Sequence, residues 1–181
     1  MGDISLNDVS KLMVGLSWDP NTQATEGFGL GQPHNIDLCC AVFGEGLSFI
    51  DMITPQIPLR DKYGQQIFHT GDNTSGGADF EDEAINVTFD GLDEDIKYLA
   101  FIVSCIDGVK FPELNNPVCD FLVYENLEKL ASVKLSKGQM DHILTGVVRK
   151  NHLGEWELTD LNQDLDNTGT AQLTETLRDR L

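Results

Sequence analysis

Apolar residues along this chain fall in short runs, rich in β-branched and aromatic side chains and bounded by Gly, Pro, Asn or Asp. That punctuation predicts strands over 11–17, 36–43, 84–89, 97–106, 118–124, 130–135, 140–148 and 156–161. The run at 97–106, KYLAFIVSCI, is apolar at nearly every position and predicts a central strand covered on both faces. Many short strands at fairly regular spacing predict an all-β fold, a two-sheet β-sandwich with few short helices. One helical turn fits within 108–116. Over 170–181, Leu173, Leu177 and Leu181 recur every fourth residue and make one apolar stripe. A terminal helix laid on the sandwich is the favoured reading of that stripe, and a helix presented to a partner is the other. No repeat, low-complexity tract or linker divides the chain, so a single domain over 1–181 is expected, with 54–58 as a surface loop.

Composition narrows the class. The apolar share is 40%, spread along the chain, which excludes a disordered tail. No apolar run approaches the roughly 20 residues of a membrane-spanning helix. The opening segment carries Asp3 and Asp8 and no basic residue before Lys11, unlike a secretory leader. Cys39, Cys40, Cys105 and Cys119 sit in strand-like apolar runs without C-x-x-C spacing, and the four histidines show no zinc-ligand spacing. A soluble cytoplasmic protein is the expectation. Its formal net charge of −18 argues against nucleic acid as a partner and against unaided docking on anionic lipid. Either that charge is spread as a solvating surface, or part of it is gathered to hold a cation.

The carboxylates gather. Between Lys62 and Lys97 there is no Lys or Arg, and the loop from His69 to Glu83 carries Asp72, Asp79, Glu81, Asp82 and Glu83 among Gly71, Gly76 and Gly77. Calcium takes six to eight oxygen ligands from carboxylates, amides and carbonyls, and glycines let a backbone curl so that carbonyls face an ion. Taking Asp72 as the first position of a twelve-residue loop puts Gly77 sixth and Glu83 twelfth, as in an EF-hand. Thr74 and Gly76 stand where further acids would, and a strand follows, so the loop is not an EF-hand. A solvated acidic loop is the bland alternative. A second acidic stretch, Asp164 to Gly169 with Glu175, matches the EF-hand pattern more closely, yet a strand precedes it; an acidic helix N-cap is favoured there over a metal site.

These segments resemble the tellurite-resistance TerD family over nearly the whole chain. The resemblance rests on Val14-Gly-Leu-Ser-Trp-Asp19, on the strand Asn35 to Phe43, on the His69-Thr-Gly-Asp-Asn loop ending at Glu83, on Ile102 to Asp107, and on Arg149 to Trp156. It implies a β-sandwich whose loops at one end bind two calcium ions. The implied ligands are Asn35, Asp37, Asp72, Asn73, Asp79, Glu81, Asp82 and Glu83, with Asp107 nearby and carbonyls from Thr74 and Gly76. Three departures stand out: Asn35 replaces a usual acid, Phe80 a usual Gly and Glu81 a usual Asp. The first removes a charge, which weakens one of the two sites.

By the same resemblance the protein is expected to be a calcium-binding sensor or scaffold in a response to tellurite and chemical stress. It would act with other proteins of that resistance system, some at the membrane. A calcium-dependent module for glycans or lipid headgroups is the alternative, with Trp18 and Trp156 as a stacking face against their reading as core residues. A hydrolase using His69 beside a metal is a third class. An ion wrapped in protein oxygens leaves little room for substrate, and no nucleophile motif is present, so no enzyme is expected.

Overall fold

The computed structural model describes residues 2–21, 33–56, 63, 65–106 and 108–181. Among them are eleven strands and one α-helix: β1 (Ile4–Ser5), β2 (Lys11–Asp19), β3 (Ile36–Phe43), β4 (Phe49–Ile53), β5 (Ile67–His69), β6 (Glu83–Thr88), β7 (Tyr98–Cys105), β8 (Asn115–Val123), β9 (Lys129–Lys134), β10 (His142–Lys150), β11 (Trp156–Leu165) and α1 (Thr170–Arg180). They form a six-stranded sheet in the order β1-β11-β10-β7-β3-β4 and a five-stranded sheet in the order β5-β6-β2-β8-β9. Every pairing is antiparallel. The expected all-β sandwich is the observed fold.

Alternation within each strand sends one set of side chains between the sheets. Val14 and Leu16 of β2, Leu38 and Cys40 of β3, Phe101 of β7 and Phe121 of β8 meet there, fully buried. Phe101 and Phe121 join the sheets edge to face, with ring centroids 5.7 Å apart at 82°. The six-stranded sheet is also apolar on its outer face. Ala41 and Phe43 of β3, Ala100 and Ile102 of β7, and Leu144 and Val147 of β10 lie there beneath Leu173 and Leu177 of α1. Burial of those two leucines contributes about 1.5–3 kcal/mol each. The terminal helix is therefore laid on the sandwich, and its cover explains why β7 is apolar throughout its length.

Three strands escape the sequence pattern. β1 and β5 have two and three residues, too few to show a period. β4 is an edge strand interrupted by Asp51, whose carboxylate accepts from the following Met52 N–H. The turn expected within 108–116 is a short 3-10 turn at Phe111–Glu113. Of the stretch 54–58, residues 57 and 58 lie outside the described residues.

Trp18 and Trp156 do not form a shared stacking face. Trp18 ends β2 beside the start of β6 and is buried. Trp156 stacks on Phe89, just past the far end of β6, at 5.4 Å. They sit at opposite ends of the sandwich, and the core reading holds for Trp18.

Candidate metal centre

The acidic loop connects β5 to β6, which pair directly, so the chain leaves and re-enters the sheet at the same place. Thr70 closes its neck: its N–H donates to the Ala84 carbonyl at 2.9 Å, and its hydroxyl accepts from the Ala84 N–H at 2.9 Å. The tip is fastened to β2 through Trp18. The Trp18 N–H donates to Asp82 Oδ2 at 2.8 Å, and the Trp18 carbonyl accepts from the Gly77 N–H at 2.9 Å. Its indole Nε1–H donates to the His34 carbonyl at 2.9 Å, tying the same corner to the approach of β3. Gly76 makes this contact possible. Its φ is +74°, and a Cβ there would lie 2.6 Å from the Trp18 ring.

At the base of the loop, Asp37 from β3, Asp72 from the loop and Glu83 from β6 converge, with ligand oxygens all within 4.8 Å of one another. Asp37 and Glu83 are buried, while Asp72 is exposed. Oxygens held 2.3–2.6 Å from a single calcium-like ion are separated by at most about 5 Å, so this spacing suits a shared cation. Gln56 Nε2–H donates to Asp37 Oδ2 at 3.2 Å. Asn35, just before β3, holds its Oδ1 buried without a hydrogen-bond donor, an oxygen of the kind hard cations accept. This donor set is all oxygen. It fits a hard divalent cation, whose charge would offset carboxylates that burial alone disfavours.

Glu83 is bound up with the fold around it. Its Oε2 accepts from the Leu38 N–H at 2.8 Å and its Oε1 from the Asn73 N–H at 3.1 Å. His69 stands beside it: Nδ1 accepts from the Gly71 N–H at 2.9 Å, so the neutral ring carries its proton on Nε2. Nε2–H lies 2.9 Å from the Leu38 carbonyl and 3.3 Å from Glu83 Oε2. Burial raises the Glu83 carboxyl above its ordinary value, against the opposing pull of His69 and the two amides. Both ring nitrogens of His69 are thus committed to main chain and Glu83, which leaves no lone pair directed at a substrate water.

The remaining expected ligands divide by role. Asp82 is held by three amide donors: Oδ2 accepts from the Trp18 N–H, and Oδ1 from the Ala78 N–H at 2.8 Å and Asn73 Nδ2–H at 3.1 Å. Asn73 Oδ1 accepts from the N–H groups of Ser75 and Gly76, each at 3.0 Å, forming the turn at the loop tip. Glu81 leaves the group altogether. It lies on the outer face of the five-stranded sheet, over Gly15, and accepts from the Ser17 hydroxyl. Asp79 is exposed on the loop and is not part of the converging carboxylates; Thr74, exposed, and Gly76, half-buried, lie at the loop tip. Asp107 lies outside the described residues.

At the second acidic stretch, Asp164 Oδ1 accepts from the Gln139 and Met140 amides. The helix N-cap is Gly169, without a side-chain cap or an acid in the first turn. The acidic N-cap expected there is absent, because Asp164 and Asp166 lie too far upstream and Asp164 serves the β9–β10 connection. Among the described residues, Asp37, Asp72 and Glu83 are the one such acidic grouping. The supports that sequence reasoning missed are Leu38, Gln56 and the structural role of His69. A buried carboxylate demands donors, and His69 and Thr70, immediately before Gly71-Asp72, were the available signal.

Fold and site together define an antiparallel β-sandwich with an oxygen-only, cation-compatible centre where the acidic loop of one sheet meets β3 of the other. A TerD domain model matches residues 2–176, and the chain belongs to the TerD family. It is 32% identical over 157 residues to the Tellurium resistance protein TerZ of Serratia marcescens, covering 84% of this chain and 79% of that one. It is 29% identical over 174 residues to the Stress response protein SCP2 of Bacillus subtilis (strain 168), covering 88% and 85%. A solved homologue of telluride resistance protein (TerD) from Streptomyces coelicolor A3(2) superposes with a TM-score of 0.73 at 16% identity, over 93% of this chain and 97% of that chain. That last likeness is one of fold. Among the described residues, no helix is long and apolar enough to cross a membrane.

Proposed function

We propose that this chain is a calcium-binding protein of tellurite and chemical-stress resistance, in which the ion fastens the acidic loop to both sheets and so acts as a sensor or scaffold element. The observation carrying this reading is the convergence of Asp37, from the six-stranded sheet, with Asp72 and Glu83, from the five-stranded sheet and its loop. An ion held by all three would favour the docked loop over alternatives in which the loop swings away. The all-oxygen donors favour calcium over softer metals, and a flexible Gly-rich loop suits calcium's variable geometry better than magnesium's strict octahedron. The stress role is supported by relatives named for tellurium resistance and stress response. On this reading the protein works in the cytoplasm with other proteins of the same resistance system, and no chemical step is assigned to the ion.

The test is calorimetric titration of chelator-stripped protein with calcium, magnesium and zinc, with thermal unfolding in parallel. At a hundredfold excess over its dissociation constant, calcium should add about 2.7 kcal/mol to stability. Asp72→Ala should abolish that gain. No heat and no melting shift with calcium would overturn the reading.

A further inference from the structure

The outer face of the five-stranded sheet carries a groove of about 790 Å³ beside the acidic loop. Its floor is Met13 of β2, Ala84 of β6 and Leu122 of β8, side by side through the pairings Met13↔Leu122 and Gly15↔Ala84. Ala84 and Leu122 are buried yet belong to neither of the two cores. Two large apolar side chains stand up on either wall. Phe80, on the acidic loop, is 83% exposed, and Leu127, on the β8–β9 hairpin, is 53% exposed.

Leu127 is also in the left-handed region, at φ +59°. Its N–H donates to the Val123 carbonyl at 2.8 Å, so the hairpin fixes that conformation. A leucine there is strained where Gly or Asn would be at ease. An exposed apolar residue kept at a strained position points to a use for its side chain. The rim is acidic, with Asp72 and Glu81 lining it and Glu125 and Glu128 flanking Leu127 in the hairpin. Among the described residues, two cations lie nearby and both are engaged: Lys11 is folded over the Tyr124 ring, 3.6 Å from its centroid, and Lys129, paired across the strands with Leu122, is bound by Asp120 Oδ2 at 2.7 Å.

We propose that this groove docks a segment of a partner protein in which an apolar anchor is flanked by Arg or Lys, the anchor lying between Phe80 and Leu127 and the basic residues meeting the acidic rim. Charge complementarity selects the occupant: an apolar slot edged with carboxylates repels acidic or lipid-phosphate ligands and attracts a basic one. Asp72 is common to this rim and to the metal centre, whereas Phe80, Leu127 and the floor of Met13, Ala84 and Leu122 belong to the groove alone.

The probe is a capped peptide with a Leu-Phe pair flanked on both sides by paired arginines. Its controls are one twin with Glu flanks and one with Ser replacing the Leu-Phe pair. Titrations into the 181-residue chain, in excess calcium and again in chelator, would be followed by fluorescence polarisation and by backbone amide shifts. The Arg-flanked peptide should bind at least about tenfold tighter than either twin. Amide shifts should centre on Ala84, Leu122 and Leu127. Phe80→Ser, at an exposed site, should weaken binding about tenfold. Leu127→Asn should weaken it too while raising the melting temperature, because it relieves the strained backbone.

Equal binding of the Ser twin would reduce the effect to bulk charge and overturn the proposal. So would binding unchanged by Phe80→Ser, or shifts confined elsewhere. Concentration-dependent self-association abolished by Phe80→Ser would assign the face to a second copy and overturn it as well.

Discussion

The Glu83 carboxylate accepts a hydrogen bond from the Leu38 N–H at 2.8 Å, reaching from the five-stranded sheet to the six-stranded one. Leu38 lies two residues beyond the last β3–β4 pair, Cys40↔Ile53, so β4 no longer serves its peptide group. Glu83 takes the N–H and His69 donates to the carbonyl, so two side chains stand in for a missing strand. One carboxylate thus belongs both to the fold and to the candidate centre.

That dual role separates two substitutions. Glu83→Ala leaves the buried Leu38 amide and the Asn73 amide without an acceptor, and should destabilise even chelator-treated protein by about 3 kcal/mol. Asp72→Ala removes an exposed group and should change that stability by less than about 0.5 kcal/mol, while removing the calcium-dependent gain. Urea unfolding of both variants, with and without calcium, checks the pair of outcomes. Equal loss in chelator would contradict the division.

A pH dependence follows for the metal-free protein. Burial raises the Glu83 carboxyl above its unfolded value, so the folded state binds that proton more tightly than the unfolded chain does. Its contribution is fully present below the ordinary carboxylate range and is lost as pH rises through the raised value. Glu83→Gln has no such titration. In chelator, the stability of wild type relative to Glu83→Gln should therefore fall as pH rises across that window. Calcium should oppose the fall, since it binds the deprotonated form. A difference that is flat with pH in chelator would refute the argument.

Much of this architecture was legible in the sequence, for physical reasons. A strand such as β7, buried on both faces, must be apolar throughout, and α1 must carry a leucine stripe to cover the outer core. The carboxylates of the loop were equally plain. Their division of labour was not, because it depends on contacts made at a distance. Asp82 Oδ2 is engaged by the Trp18 N–H, far away in sequence, and Glu81 turns outward because Gly15 on the neighbouring strand leaves room for it. A Cβ on Gly15 would meet Glu81 Cδ at 2.5 Å. Hydrophobic period assigns faces. It does not say which of several adjacent acids the main chain will claim.

The fastening at Trp18 gives a prediction of its own. Gly76→Ala puts a methyl group against the Trp18 ring and forces a non-glycine residue to φ +74°. The loop should be destabilised by about 1–3 kcal/mol, with calcium affinity falling because the docked loop carries Asp72. Trp18 fluorescence should shift to the red as the indole gains water, while the far-ultraviolet dichroism of the sheets is kept. An unchanged fluorescence maximum together with wild-type calcium affinity would show that the contact does not position the loop.

The thiols offer the last test, on whether the stress role runs through cysteine chemistry. Burial pushes Cys39, Cys105 and Cys119 each up to about 12, with Asp37 and Glu83 adding to the effect at Cys39 and Asp141 at Cys105. Cys40, fully buried in the core, is raised well above the ordinary thiol range. At pH 8 about one thiol in ten thousand is then ionised, and the thiolate is the reactive form. Cys39 and Cys40 point to opposite faces of β3, so they cannot bridge each other without breaking the strand. Iodoacetamide at pH 8 should leave the native protein almost unlabelled over the time in which urea-unfolded protein is labelled at all four cysteines. Rapid labelling of Cys39 or Cys105 in the native state would instead mark a reactive thiol, and a redox role would have to be weighed against the calcium reading.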